Sequence, residues 1–164
     1  MSSNIFLAPC DSGNFDRTVL TEVDLSEYPD HPDALLGLDK VQFWGVRDGK
    51  SNRNYFDKMT TGDLVLFYQD EEYIGTGWIK SKFEDNDMWA SKTFWKNAPS
   101  NLIYTLEDFT RISVPKKNVN RIFEYDEDHY PQGLSRVAEN RIEKRPVVIR
   151  RALIKFTKKH SENA

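Results

Sequence analysis

Residues 44–68 read WGVRDGKSNRNYFDKMTTGDLVLFY, and the way this stretch divides decides the fold. It opens inside KVQFWGVR (40–47), whose β-branched and aromatic residues predict a strand. SNRNYFDKM (51–59) then predicts a short helix. Ser51 offers a hydroxyl to an unpaired first-turn amide, Tyr55, Phe56 and Met59 give an apolar edge, and Gly62 ends the segment. DLVLFYQ (63–69) is a continuous apolar run, as in a strand buried on both faces. Trp44 therefore closes a strand beside a basic, asparagine-containing stretch. It is either core or the wall of a pocket.

Downstream, YIGTGWIKSKF (73–83) predicts a second strand of the same sheet. Gly75 and Gly77 fall on one face of it, which marks close approach by another chain segment or a ligand. EDNDMWASKTFWKNAP is irregular and holds Trp89 and Trp95. NLIYTL and FTRISV, split by Glu107 and Asp108, predict two more strands. Upstream, NIFLAP predicts an edge strand ended by Pro9, NFDRTVLTEVDL is strand or helix, and YPDHPDALLGLD is a loop. Near the C-terminus, Leu134, Val137, Ala138 and Ile142 mark one amphipathic helix, and Ile149, Ala152, Leu153 and Phe156 a second. Arg151, Lys155, Lys158 and Lys159 give the latter a basic face. Without a βαβ rhythm, this order predicts an α+β fold, a strongly curved mixed or antiparallel sheet with peripheral helices.

The 164 residues suit one domain, 1–164, able to bury a core unaided. No apolar run approaches ~18 residues and no basic segment leads an apolar one, so a soluble, cytoplasmic protein is expected. The lone Cys10 can make neither an internal disulfide nor a cysteine-based zinc site, and is expected to be a plain thiol. The net charge of −3 hides an asymmetry. Residues 1–40 hold eight acids against Arg17 and Lys40, while residues 136–159 hold nine basic groups against Glu139 and Glu143. Such polarity either offers a positive face to phosphates or reflects two solvated faces.

No GxxxxGK[ST] or GxGxxG loop is present. His31, His129 and His160 lack metal-ligand spacing and neighbour no nucleophile. The acidic stretches YDEDH (125–129) and FEDND (83–87) read as solvated loops, since neither has the glycine punctuation or distal glutamate of a cation loop. Neither catalysis nor a metal or cofactor is expected. The aromatic inventory remains, at 13% of residues with four tryptophans. Trp78 alternates in a hairpin strand and reads as core. Trp44, Trp89 and Trp95 have polar neighbours, and indole walls converging on a pocket would suit a flat base or a methylated cation. Ordinary core packing is the alternative.

The block WGVRDGKSNRNYFDKMTTGDLVLFY, followed by YIGTGWI and by a tryptophan after the acidic turn DNDMW, resembles the EVE domains of the PUA superfamily. The resemblance covers about residues 40–114, with 115–160 a C-terminal helical part. EVE domains are relatives of the YTH readers of N6-methyladenine, and versions of the fold begin McrB-type subunits of modification-dependent restriction systems. FLAPC and QGLSRVAENRIEKR look most like that restriction subgroup. The resemblance implies a curved, barrel-like sheet with flanking helices and a pocket that receives a modified base swung out of DNA. It implies Trp44, Trp89 and Trp95 as cage walls, and Gly45 and Val46 as backbone contacts to the base edge. Arg47, Lys50, Arg53 and Asn54 would meet the nucleic-acid backbone, as would Arg151 and Lys155 on the basic helix. Where YTH domains place a polar residue after the first tryptophan this chain has Gly45, which leaves open which modification is read. A motor or nuclease would belong to another domain or subunit. The alternatives are an RNA reader of N6-methyladenine or another modified base, a methyl-lysine peptide reader, and a small nucleotide-acting enzyme of the ASCH branch.

Overall fold

The computed structural model describes residues 3–95 and 99–162. The chain begins with β1 (Ile5–Pro9), α1 (Ser12–Thr18), β2 (Val23–Asp24), β3 (Lys40–Val41) and β4 (Phe43–Val46). α2 (Lys50–Lys58), β5 (Leu64–Gln69), β6 (Glu72–Glu84), α3 (Trp89–Thr93) and β7 (Leu102–Pro115) follow. α4 (Lys116–Phe123), β8 (Ser135–Arg136) and α5 (Pro146–Glu162) complete it. The main sheet runs β4-β7-β6-β5-β1-β8, while β2 and β3 pair separately. Its strands are antiparallel except β1 and β5, which run parallel with Ile5 beside Leu64 and Pro9 beside Tyr68. Register shifts in β5–β6 and along β6–β7 insert unpaired residues. Bulges of this kind increase twist and bend a strand, and here they curl the sheet into a half-barrel. The expected α+β fold with a curved mixed sheet is what the chain forms.

Strand alternation sorts the core onto two faces. Phe6, Ala8, Val65 and Phe67 point to one, packed with Phe15, Phe43, Trp44, Trp89 and Trp95. Ile5, Leu7, Leu64 and Leu66 point to the other, covered by Val119 and Phe123 of α4 and Ile149 and Leu153 of α5. β5 is thus buried on both faces, as its unbroken apolar run requires.

β1 is no edge strand, because β8 pairs with its outer side at Phe6–Arg136 and Leu7–Ser135. Pro9 is tolerated as its last residue, and the next amide, of Cys10, donates to Tyr68 O at 2.9 Å. The other end is fixed by Asp63, only 2% exposed. Its carboxylate accepts from the Asn4 amide (2.9 Å) and Asn4 Nδ2 (3.1 Å), and from the Thr60 amide (2.8 Å).

Other expectations need correction. The undecided segment 14–25 holds both: helix α1 to Thr18, capped by the Asp11 carboxylate accepting from the Asn14 amide at 2.7 Å, and then strand β2. KVQFWGVR is divided between the two sheets, and α2 begins at Lys50 behind Gly49, not at Ser51. β7 is one strand; Asp108 adopts a positive φ of 53° at a bulge instead of breaking it. That bulge drives Phe109 onto β6, where a Cβ on Gly75 would lie 2.6 Å from the phenyl ring. Gly75 is therefore explained by a chain segment. Residues 134–142 form no amphipathic helix: Leu134 and Val137 lie in opposite core clusters, as odd spacing in extended chain demands. Helix α4 follows Pro115 directly, within the stretch expected only as a C-terminal helical part.

Asp63→Ala should lower stability by about 3 kcal/mol, because buried amides at both ends of the clamp lose a charged acceptor. Urea unfolding should show a reduced midpoint at unchanged m.

Candidate functional site

The site is built where β4 meets the excursion between β6 and β7. Trp44 and Gly45 lie opposite Tyr104 and Ile103 of β7. The excursion is pinned at both ends by Asp85, 2% exposed, whose carboxylate accepts from the Trp89 and Ala90 amides at 3.1 and 2.9 Å. Its own amide donates to Asn101 O at 2.7 Å. Reading FEDND as a wholly solvated loop was thus wrong, since Asp85 is a buried cap for α3. Ser91 and Ser100 bond each other across the excursion. Arg17 of α1 donates to Phe94 O at 3.1 Å. These bonds fix Trp95, only 2% exposed.

Trp44 and Trp95 meet at a ring separation of 5.4 Å and an angle of 70°, forming a corner rather than a parallel sandwich. Gly45 makes the corner possible. A Cβ there would stand 3.0 Å from the Trp95 ring and 2.7 Å from Ile103 Cδ1. A cavity of about 290 Å³ opens on this corner, walled opposite by Pro9, Cys10 and Asp11 and flanked by Asn14 and Ser100. That is close to the small end, roughly 300 Å³, of ordinary ligand sites. Trp44 is 7% exposed, and its rear edge is held by Phe15 at 5.3 Å. The Trp95 indole N–H is buried with no acceptor among the described residues.

The mouth is acidic. Asp11 accepts from Asn14 Nδ2 at 2.9 Å, and Asn14 Oδ1 accepts from Arg17. Burial, with Asp11, Asp16 and Asp70 nearby, pushes the Cys10 thiol far above the usual range. Cys10 Sγ donates to Tyr68 O at 3.3 Å. A protonated thiol in that setting is no nucleophile.

Of the residues implied by resemblance, the structure brings Trp44, Gly45 and Trp95 together. Trp89 does not line this cavity. Its ring packs among Tyr28, Phe43 and Phe94, and its indole N–H donates to Asp30 Oδ1 at 3.3 Å. Val46 is buried, and Arg47 and Lys50 stand exposed just beyond it. Arg53 is bound to Asp48 and Glu84, at 2.5 and 2.7 Å. Hydrogen bonds from its guanidinium hold both carboxyls below their usual range. Asn54 is exposed on α2, whereas its neighbour Asn52 does structural work: Nδ2 donates to Arg47 O and Oδ1 accepts from the Leu134 amide. Arg151 and Lys155 are exposed on α5, which covers the other face of the sheet from Trp44. Sequence reading missed Asp85, Asn52 and the Pro9–Asp11 wall. Only Asp85 had a signal, an acid placed to cap the first turn of α3.

Alkylation of Cys10 by iodoacetamide at pH 8.5 should run at least about tenfold slower in the native chain than in the unfolded one, because each unit of upward pKa shift removes tenfold of thiolate. Mass spectrometry of timed samples checks this; equal rates would mean an ordinary, accessible thiol.

No family model and no curated protein matches the chain. Among solved structures, it is similar to the N-terminal domain of Thermococcus gammatolerans McrB bound to m5C DNA. The TM-score is 0.71 at 19% identity, covering 92% of this chain and 99% of that one. The ASCH protein of Zymomonas mobilis aligns more weakly, with a TM-score of 0.45 at 10% identity over 84% of this chain and 90% of that one. The chain thus has the PUA-like fold of the McrB N-terminal domain.

Proposed function

We propose that this chain is a recognition module for a modified, methylated base in DNA, and that the base swings out of the duplex into the Trp44–Trp95 corner. The observation that carries the reading is that corner itself: two indoles set at 70° around a glycine, on the fold of a domain that binds m5C DNA. Extruding a base costs a few kcal/mol of lost stacking, offset by stacking on an aromatic wall. A base laid against one indole meets the edge of the other. The carboxylate of Asp11 at the mouth suits an exocyclic amino group, such as cytosine N4. Burying a methyl group adds about 0.8 kcal/mol, so the shape of the corner must supply further discrimination. Trp89 acts behind the site, through Phe43 and Phe94.

Arg47 and Lys50, exposed at the exit of β4, meet the DNA backbone, and Arg53 braces them through Asp48. Arg151 and Lys155 belong to a different contact, since α5 covers the opposite face. The module supplies specificity within a modification-dependent restriction system whose motor and nuclease reside in another domain or subunit. A second reading, a cage for a methylated ammonium group on a peptide, is favoured by one observation: Asp11, Asp16 and Asp70 surround the cavity wall at Cys10.

The test is a binding panel using one duplex with plain, 5-methylcytosine, 5-hydroxymethylcytosine or N6-methyladenine content, beside RNA equivalents and a trimethyl-lysine peptide. Trp44→Ala should stay folded and bind modified and plain duplexes alike. Unchanged discrimination, or preference for the peptide in the wild-type chain, would sink the proposal. Replacing Arg47 and Lys50 by Gln should flatten the slope of log K against log salt by about 2, while the same change at Arg151 and Lys155 should leave it unaltered.

A further inference from the structure

Next to the Trp44 cavity lies a second one of about 610 Å³, and Pro9, Cys10 and Asp11 line both. The far side of this second cavity carries Tyr68 and Tyr130. Trp44 belongs to the core on one face of the sheet and Tyr68 to the core on the other. The two cavities therefore flank the C-terminal end of β1 from its two sides, and together they are called the groove.

Tyr130 is 45% exposed, unusual for a large aromatic. It is nevertheless held in place. Its ring stacks on Tyr68 at 5.7 Å and 17°, and Lys116 Nζ sits 5.3 Å from its centroid. Lys116 is itself paired with Glu71 at 2.6 Å, and the Glu71 amide donates to the Tyr68 hydroxyl at 3.2 Å. The loop that delivers Tyr130 is fastened by buried Asn120, whose Nδ2 donates to Glu127 O and His129 O at 3.0 and 2.9 Å. An exposed ring immobilised in this way loses little freedom when a ligand stacks on it.

The lining of the groove also specifies the ligand. It carries the carboxylates Asp11 and Asp70 and the amides Gln69 and Gln132, and among the described residues no lysine or arginine. Two cations close by, Lys116 and Arg17, are already engaged by Glu71 and Asn14. A neutral aromatic with amino donors would find a stacking surface and acceptors.

We propose that the Tyr130 platform takes a second unstacked nucleobase while the modified base occupies the Trp44 corner. This rests on the base-reading function proposed above. Removing one base from a duplex leaves its partner unpaired and its neighbours unstacked, and a tyrosine ring recovers stacking energy from any base. The second base comes either from the position opposite the extruded one or from a position next to it on the same strand. An amino group on its edge donates to Asp11 or Asp70, which favours cytosine or adenine over thymine.

The experiment measures the affinity of the full chain for a duplex holding one modified base, with Tyr130→Ala and Tyr130→Phe compared to wild type. Tyr130→Ala should bind about 5- to 150-fold more weakly, and Tyr130→Phe as wild type. Duplexes with an abasic site opposite the modified base, or on either side of it, should close the gap between wild type and Tyr130→Ala in one case, which names the source. In the wild-type complex, 2-aminopurine at that position should be quenched. Equal affinity of variant and wild type, a gap that survives every abasic site, or bright 2-aminopurine at all three positions would overturn the platform alone. Equal wild-type affinity for modified and plain duplexes would overturn the base-reading function, and the platform with it.

Discussion

The Asp63 carboxylate decides where the first strand goes. It lies in the turn before β5 and collects amide donors from Asn4, at the head of β1, and from Thr60. A buried carboxylate with fewer donors would be costly, so the clamp forms as a whole or not at all. Once it forms, β1 is parallel to β5 in one register, and its last residue comes to rest beside Tyr68. That residue and the next two, Pro9 to Asp11, are the wall shared by both cavities. A carboxylate at the opposite end of the strand thereby sets the geometry of that wall.

A second buried carboxylate, Asp85, does the equivalent for the tryptophans. It closes the excursion between β6 and β7 and starts α3, so that Trp89 turns inward and Trp95 returns to Gly45. The charge asymmetry of the sequence also gains a spatial meaning. Asp11 and Asp16 of the acidic N-terminal part flank Cys10, while Arg151 and Lys155 of the basic part lie on α5 behind the sheet. Arg47 and Lys50 stand exposed just after β4 and at the start of α2.

Much of this was legible in the sequence, and the reasons for the rest are physical. The apolar run of β5 and the strand pattern of 73–83 after it announced a central hairpin, and periodicity located α5. The false helix at 134–142 arose because Leu134 and Val137 serve two different cores, which a single apolar count merges. Polar neighbours marked Trp44, Trp89 and Trp95 alike, and only Trp44 and Trp95 line the cavity. Nothing local distinguishes an indole bonded to a distant Asp30 from one facing a cavity. The partnership of Pro9–Asp11 with both tryptophans and tyrosines spans the whole chain and leaves no local signature.

The parallel pairing of β1 with β5 also bears on how the chain is born. Asn4 meets Asp63 across 59 positions of sequence. Closing a loop of that length costs entropy before any contact repays it, and non-local pairing slows folding. During synthesis β1 emerges before β5, so Ile5, Phe6 and Leu7 are apolar and lack that partner until β5 leaves the ribosome. Until then the strand that later walls both cavities is an unpaired apolar edge, open to wrong partners.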